Sequence, residues 1–397
     1  MHVLEDRTLS LDSSALREAE ALIREARGLR RRRWTIGFFV VLAIAGTIYG
    51  LVSNGGHSYP SPGQASVASS KQSQSITLPI GPSVKMALAG SLAVGPSGAL
   101  YVAAPDQHRI LVRLADGKFR VVAGTGIDGY SGDGHRAIDA RLSNPMDLTF
   151  DPAGDLYFVD SGRVRVIKLD GVVVTVAGDG STSLPPGSNA PVEVAQGIPA
   201  LDASFQSNPS IAFGPYGVLY IITDTQLLRM TSEGRLDILP IHKVSLGKTT
   251  VAPQSFDTGF GTLAIDKGGG IYITGFNGWA IWHITPNGVA TYIGYDRGSG
   301  GTVPDLVEGP GGSVYAADGG TLMRVTPKKL VPVNRLFKVN GKYFWVTNFA
   351  FGPNGTLYAD ELPGNLGFEA LQSLVVVGHA GPKVLWTESQ VFAARQN

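Results

Sequence analysis

Short apolar runs separated by turns rich in Gly and Pro recur from Leu92 onward, a pattern that predicts strands rather than helices. One pattern returns six times: an apolar triplet, a Gly/Pro turn, an apolar residue, a tyrosine and a further apolar run. The first copy runs from Leu92 through Gly95, Pro96 and Gly98 to Tyr101 and Val102, and the second from Leu148 through Pro152 and Gly154 to Tyr157 and Phe158. The others span Ile211 to Ile221, Leu263 to Ile273, Leu306 to Ala316 and Phe349 to Ala359. Their tyrosines (Tyr101, Tyr157, Tyr220, Tyr272, Tyr315, Tyr358) are separated by 56, 63, 52, 43 and 43 residues, the kind of period that marks a repeat architecture.

Each copy predicts two strands joined by a tight turn, and two more strands follow it. In the first unit these are Arg109 to Leu114 and Lys118 to Ala123 around Asp116-Gly117. In the second they are Val164 to Leu169 and Val172 to Ala177 around Asp170-Gly171, and in the fourth Ala280 to Thr285 and Val289 to Ile293 around Asn287-Gly288. Asp-Gly and Asn-Gly are strong hairpin signals. Four strands repeated six times predict an all-β fold, a six-bladed β-propeller over residues 76–397. Residues 76–88 either add a strand to the last blade or pack beneath the first.

The pattern resembles the NHL-repeat propellers (NHL/TolB-like), and the likeness covers roughly residues 80–390. Its most specific part is the Gly-rich link Val121-Val122-Ala123-Gly124-Thr125-Gly126 to Gly132-Asp133-Gly134, followed by Ala140, Leu142 and Pro145. A looser link runs from Ala177-Gly178-Asp179-Gly180 to Ala203, Phe205, Asn208 and Pro209. The last three units lack this link, and His135-Arg136 stands where the family has small residues. The resemblance implies a bacterial style of repeat and a range of roles: sensor ectodomain, protein- or RNA-binding module, or lyase.

Before the repeats, Trp34 to Val52 contains 19 residues without a charge, about the length that crosses a bilayer core. Arg27 and Arg30 to Arg33 precede it, and no Lys, Arg, Asp or Glu follows until Lys71, so the positive-inside rule places the N-terminus in the cytoplasm. With 33 residues ahead of it, the span reads as an uncleaved signal-anchor rather than a signal peptide. This predicts a single-pass plasma-membrane protein: a cytoplasmic tail 1–33 with helical periodicity, a span 34–52, a Ser/Gly/Pro/Gln-rich stalk 53–75 and an extracytoplasmic propeller.

Composition adjusts this picture in three ways. The 397 residues include 52 Gly and 24 Pro, which suits many turns and few long helices. With 33 basic and 32 acidic residues the chain has no global basic field, so nucleic acid is not expected as a partner. The absence of Cys removes disulfides, thiolate catalysis and Cys-ligated metals.

In an antiparallel blade, the turn between the second and third strands and the link to the next blade emerge on one face. Long links at 124–145, 178–209 and 240–261 make that face the natural binding surface. Its candidate contact residues are Asp106, His108, Arg109, Asp128, Tyr130, Asp133, His135 and Arg136, for an extracytoplasmic protein, peptide or glycan. The competing role for the same residues is that of solvated turns with Asp capping backbone amides. Asp128 to Asp133 lacks the alternating donors and distant Glu of a calcium loop.

A second candidate set precedes the six apolar triplets: Ser91, Asp147, Ser210, Thr262, Asp305 and Asn348, all small and polar. No cofactor is expected from the motifs, but Asp147, Asp305 and Asn348 have the oxygen chemistry to hold a divalent cation such as calcium at the channel mouth. In that reading the chain resembles the metal-dependent, gluconolactonase-like propellers and implies a hydrolase or lyase, although their opening Glu-rich motif is missing. Capping strands or hydrating a channel mouth is the alternative role of these side chains. Nucleophile elbows, zinc-protease motifs and phosphate loops are absent. The balance favours a binding module over an enzyme.

Overall fold

The computed structural model describes residues 78–387 apart from 87–88, 182–193, 206, 242, 247–248, 252–260, 276–279, 295–304, 319–320, 337, 340–341, 354, 364–372 and 379–380. The expected tail, membrane span and stalk lie outside the described residues. Among the described residues, the helical pieces are short 3-10 turns, and no helix is long and apolar enough to cross a membrane.

Strand periodicity survives in the burial pattern. Val172–Ala177 alternates half-buried and buried positions, as a strand with one covered face does, whereas Val164–Ile167 is buried throughout, as a central strand between two layers is. The strands form six sheets of five, five, five, six, four and five strands. The first runs outward from Ser91–Val94 through Leu100–Ala104, Arg109–Arg113 and Phe119–Ala123 to Ser83–Val84. The innermost strands (Ser91–Val94, Pro145–Phe150, Ser210–Phe213, Leu263–Ile265, Leu306–Gly309 and Lys342–Phe351) touch one another in turn, and the sixth touches the first. This is a β-propeller.

The core is divided among the junctions between sheets. One apolar cluster joins the first and second sheets through Ile110, Val122, Leu148 and Phe158, and another joins the second and third through Val159, Val164, Ile211 and Leu228. Comparable clusters fill the later junctions, and Ala350 and Tyr358 of the sixth sheet pack with Leu92 and Val94 of the first. The recurrent tyrosine belongs to these junctions. Tyr101 meets Phe150 edge-on at 5.0 Å, Tyr157 meets Phe213 at 4.8 Å and Tyr315 lies 4.8 Å from Phe351, each Phe ending the innermost strand of the next sheet. Such pairs add about 0.5–1.5 kcal/mol to the burial of each ring. The repeat glycine follows from the same contact: a Cβ on Gly95 or Gly309 would run into the tyrosine and phenylalanine rings.

The N-terminal segment does not complete the sixth sheet; it joins the first, where Leu78 and Met86 are buried against its strands. Ser83 and Val84 pair with Arg120 and Phe119 as an outer strand of the first sheet. Among the described residues the sixth sheet is built from Lys338 onward, so the ring closes there by side-chain packing and no described strand is shared across its seam. Links wrap the later sheets in the same way: His135–Arg136 pairs with Val172–Val173, and Ile198–Pro199 with Arg235–Leu236.

Candidate functional site

All six innermost strands line a central cavity of about 300 Å³, into which Asp147 and Asp305 project. The polar residue opening one innermost strand repeatedly bonds the backbone of the next. Ser91 Oγ accepts from the Leu148 amide at 2.9 Å, an Asp147 oxygen from Ile211, and Thr262 Oγ1 from Leu306 at 3.2 Å. These side chains therefore clasp neighbouring sheets, a capping role. Asn348 is turned along its own sheet and donates to Asp360 Oδ2 at 3.2 Å.

Asp147 sits in a β-bulge and has φ 51°, in the left-handed region that few non-glycine residues adopt. Burial pushes its carboxyl up to about 6, against the pull of the Ile211 amide and the Ser210 hydroxyl. Burial also lifts Asp305 to about 8, helped by the charge of Asp147 and opposed by the Leu306 amide. At neutral pH the cavity thus holds a protonated Asp305 beside a mostly ionised Asp147. Two such oxygen donors can exchange a proton for a cation, but among the described residues no cluster of three or more His, Asp or Glu accompanies them.

On the link face, Gly124 and Gly178 begin two links with the same backbone frame. The amides of Gly124 and Gly178 bond the carbonyls of Ala137 (3.0 Å) and Ala200 (2.8 Å), and the next amides bond Ala140 (2.9 Å) and Ala203 (2.8 Å). A Cβ at Gly124 or Gly178 would collide with the carbonyl of His108 or Gly162, and both glycines have positive φ. Arg109 and Arg163, at matching strand starts, donate to the Thr125 and Asp179 carbonyls at 2.8 and 2.7 Å.

The candidate loop residues divide into two groups. Asp133 is a hub: its Oδ1 pairs with Arg165 Nη2 at 2.7 Å, and its Oδ2 accepts from Tyr130 Oη at 2.9 Å and the Thr175 amide at 3.1 Å. Partial burial pushes its carboxyl up, but the bonds from Thr175, Arg165 and Tyr130 and the Arg165 charge outweigh this and hold it below the ordinary range. Arg165 is completely buried and reaches Asp160 Oδ2 at 3.3 Å and the Ser131 carbonyl at 2.8 Å. Asp160 in turn accepts from the Ser143 and Asn144 amides, both at 2.9 Å. The Arg163 guanidinium lies 3.8 Å above the Tyr130 ring.

The remaining candidates are more peripheral. His108 Nδ1 lies 2.7 Å from the Ser143 carbonyl and 3.9 Å from Asp128, whose carboxylate accepts from Ser143 Oγ at 2.7 Å. His135 touches the Asp133 carbonyl at 3.0 Å, Arg136 pairs at the surface with Asp139 at 3.7 Å, and Asp106 is exposed on the Pro105–Gln107 turn. Arg165 and Asp160 escaped the sequence reading. Their signal was a lone arginine inside the apolar run Val164-Arg165-Val166-Ile167, which a strand buried on both faces tolerates only with a paired carboxylate.

The family profile of the Teneurin NHL domain matches residues 113–258. Teneurin-m of Drosophila melanogaster is 27% identical over 192 residues, 44% of this chain and 7% of that protein. Teneurin-1 of Homo sapiens is 30% identical over 169 residues, 38% of this chain and 6% of that protein. The chain therefore spans a small fraction of the length of these relatives. Among solved structures, virginiamycin B lyase from Staphylococcus aureus aligns with a TM-score of 0.45 at 13% identity, covering 75% of this chain and 83% of that one. The repeats described above, and the matched stretch within them, support an NHL-repeat propeller family for this chain.

Proposed function

We propose that the chain is a membrane-anchored, extracytoplasmic binding module: a six-bladed NHL propeller, one blade per sheet, held by a signal-anchor at 34–52 in the plasma membrane. It engages a protein, peptide or glycan through its link face. An NHL propeller is consistent with a protein-binding module. The observation that carries the reading is the pre-built link 124–145: the buried Asp133–Arg165–Asp160 network and Arg163 over Tyr130 fix its shape. Ile127, Tyr130 and Leu201 nevertheless stay 54%, 44% and 54% exposed on the links. Rigid loops that present apolar side chains lose little entropy on binding, and such residues become interface anchors.

The test is site-specific photo-crosslinking of the full chain in intact cells. Probes at Ile127 and Leu201 should yield a discrete adduct that a probe at Glu233, on the opposite hairpin turn, does not. Equal labelling at all three sites would reject the reading, and protease protection of intact cells would report the orientation of the anchor.

A second reading, a metal-dependent hydrolase or lyase of the gluconolactonase-like kind, is favoured by the two carboxyls sharing one central cavity. It requires a calcium-dependent rise in melting temperature that disappears in Asp147→Ala.

A further inference from the structure

The face opposite the links carries the tight turns of the repeats, and there two departures from the repeat meet. The residue after the turn proline position is small in five copies (Ser97, Ala153, Gly268, Gly311 and Asn354) but is Tyr216 in the third. The position before it is proline in five copies and Lys267 in the fourth. Tyr216 is fully exposed and has φ 67°, a backbone state its fifth-copy counterpart Gly311 adopts freely at φ 73°. Both residues line a groove of about 580 Å³ between the third and fourth sheets, within the size range of small-ligand sites.

The chemistry of the wall is one-sided. Tyr216 and Tyr220 supply aromatic surface, Lys267 and Arg229 supply positive charge, and Thr285 and Asn287 supply hydrogen-bonding groups, while the described lining residues include no carboxylate. Arg229 is steadied by Asp237 at 2.9 Å and stays partly exposed. The strands beside the groove are paired within their own sheets, so their edges are occupied and an added peptide strand finds no ladder to extend. Two cations are too few to track a nucleic-acid backbone. A flat, fully exposed ring and an ammonium-bearing side chain on the wall of one groove suit a ligand with a C–H face to lay on the electron-rich aromatic face and an anionic group to meet the cation.

We propose that this groove is a carbohydrate site for an acidic, uronate-bearing oligosaccharide, with Tyr216 as stacking platform and Lys267 as the carboxylate partner. Tyr216 and Lys267 stand on the turn face, and the groove runs from there between the two sheets to Leu239 and Pro240, where the third link begins.

The test is calorimetric titration of the full chain in detergent with trigalacturonate, with maltotriose and hexaglutamate as neutral-sugar and acidic-peptide controls. Trigalacturonate should bind saturably, more weakly as salt rises, and at least about tenfold less tightly in Tyr216→Gly and in Lys267→Gln. Tyr216→Gly should melt no lower than the parent, because glycine accepts the left-handed backbone, so a lost ligand is distinguished from a lost fold. No saturable binding, unchanged affinity in both variants, or equal affinity for either control would overturn the proposal.

Discussion

The links at 124–145 and 178–209 share one frame and differ in what anchors them. Both begin with a left-handed glycine against a neighbouring carbonyl, and both contain a 3-10 turn, Ala137–Asp139 or Ala200–Asp202. Over the second sheet the anchor is ionic: buried Arg165 between Asp133 and Asp160. Over the third sheet Leu228 and Thr223 stand at the matching positions, and the anchor is the neutral Gln226. Its amide accepts from Val194 N at 2.6 Å and donates to Val194 O at 3.0 Å. A repeat can therefore keep its backbone frame while exchanging a charged lock for a neutral one. The exchange decides whether the link responds to pH.

The largest effect should come from converting the first anchor into the second. Arg165→Leu leaves Asp160 buried without its cation and should cost about 3–5 kcal/mol in denaturant unfolding. Adding Asp160→Thr, to copy the third sheet in full, should recover most of that loss; no recovery would mean that the two anchors are not interchangeable.

Next is pH. Asp147 and Asp305 bind a proton more tightly in the folded chain than in the unfolded one. Their contribution is complete below the ordinary carboxylate range and is lost as pH rises through about 6 for Asp147 and about 8 for Asp305. Stability should fall by on the order of 5 kcal/mol between pH 5 and 8, and Asp305→Asn should remove most of that slope. Asp133 runs the other way: its folded value is lowered, so its contribution is present above the ordinary range and is lost as pH falls. In the Asp305→Asn background, amide exchange should loosen in the first link on acidification and stay constant in the second.

Gln226→Leu should cost about 2 kcal/mol, because both Val194 backbone groups lose their buried partner, with no added pH dependence. The smallest effect is expected from Arg163→Gln, about 1 kcal/mol through loss of the cation over Tyr130. It should be visible as faster exchange at Tyr130 and Asp179, since Arg163 touches both links.

Much of the fold was readable from residue order because its signals are local. Asp116-Gly117 and Asp170-Gly171 mark their hairpins without help from the rest of the chain, and Tyr101, Tyr220 and Tyr315 lie close in sequence to the glycines that make room for their rings, Gly95, Gly214 and Gly309. The outer strand Ser83–Val84 was not readable, since two residues carry no periodicity and their partner, Phe119–Arg120, lies far along the chain. The site divided in the same way. The six polar positions were evident by alignment, but the clasping of the next sheet by Ser91, Asp147 and Thr262 depends on register between sheets. Asp133 looked available to a ligand because the arginine that turns it inward comes 32 residues later, in another strand.

The N-terminal segment also sets how the molecule bears load. Tension on the chain ahead of Leu78 would meet the propeller first at buried Leu78 and then at the backbone bonds of Gly81 and Pro82 to Val121, before it reached the Ser83–Val84 pairs with Arg120 and Phe119.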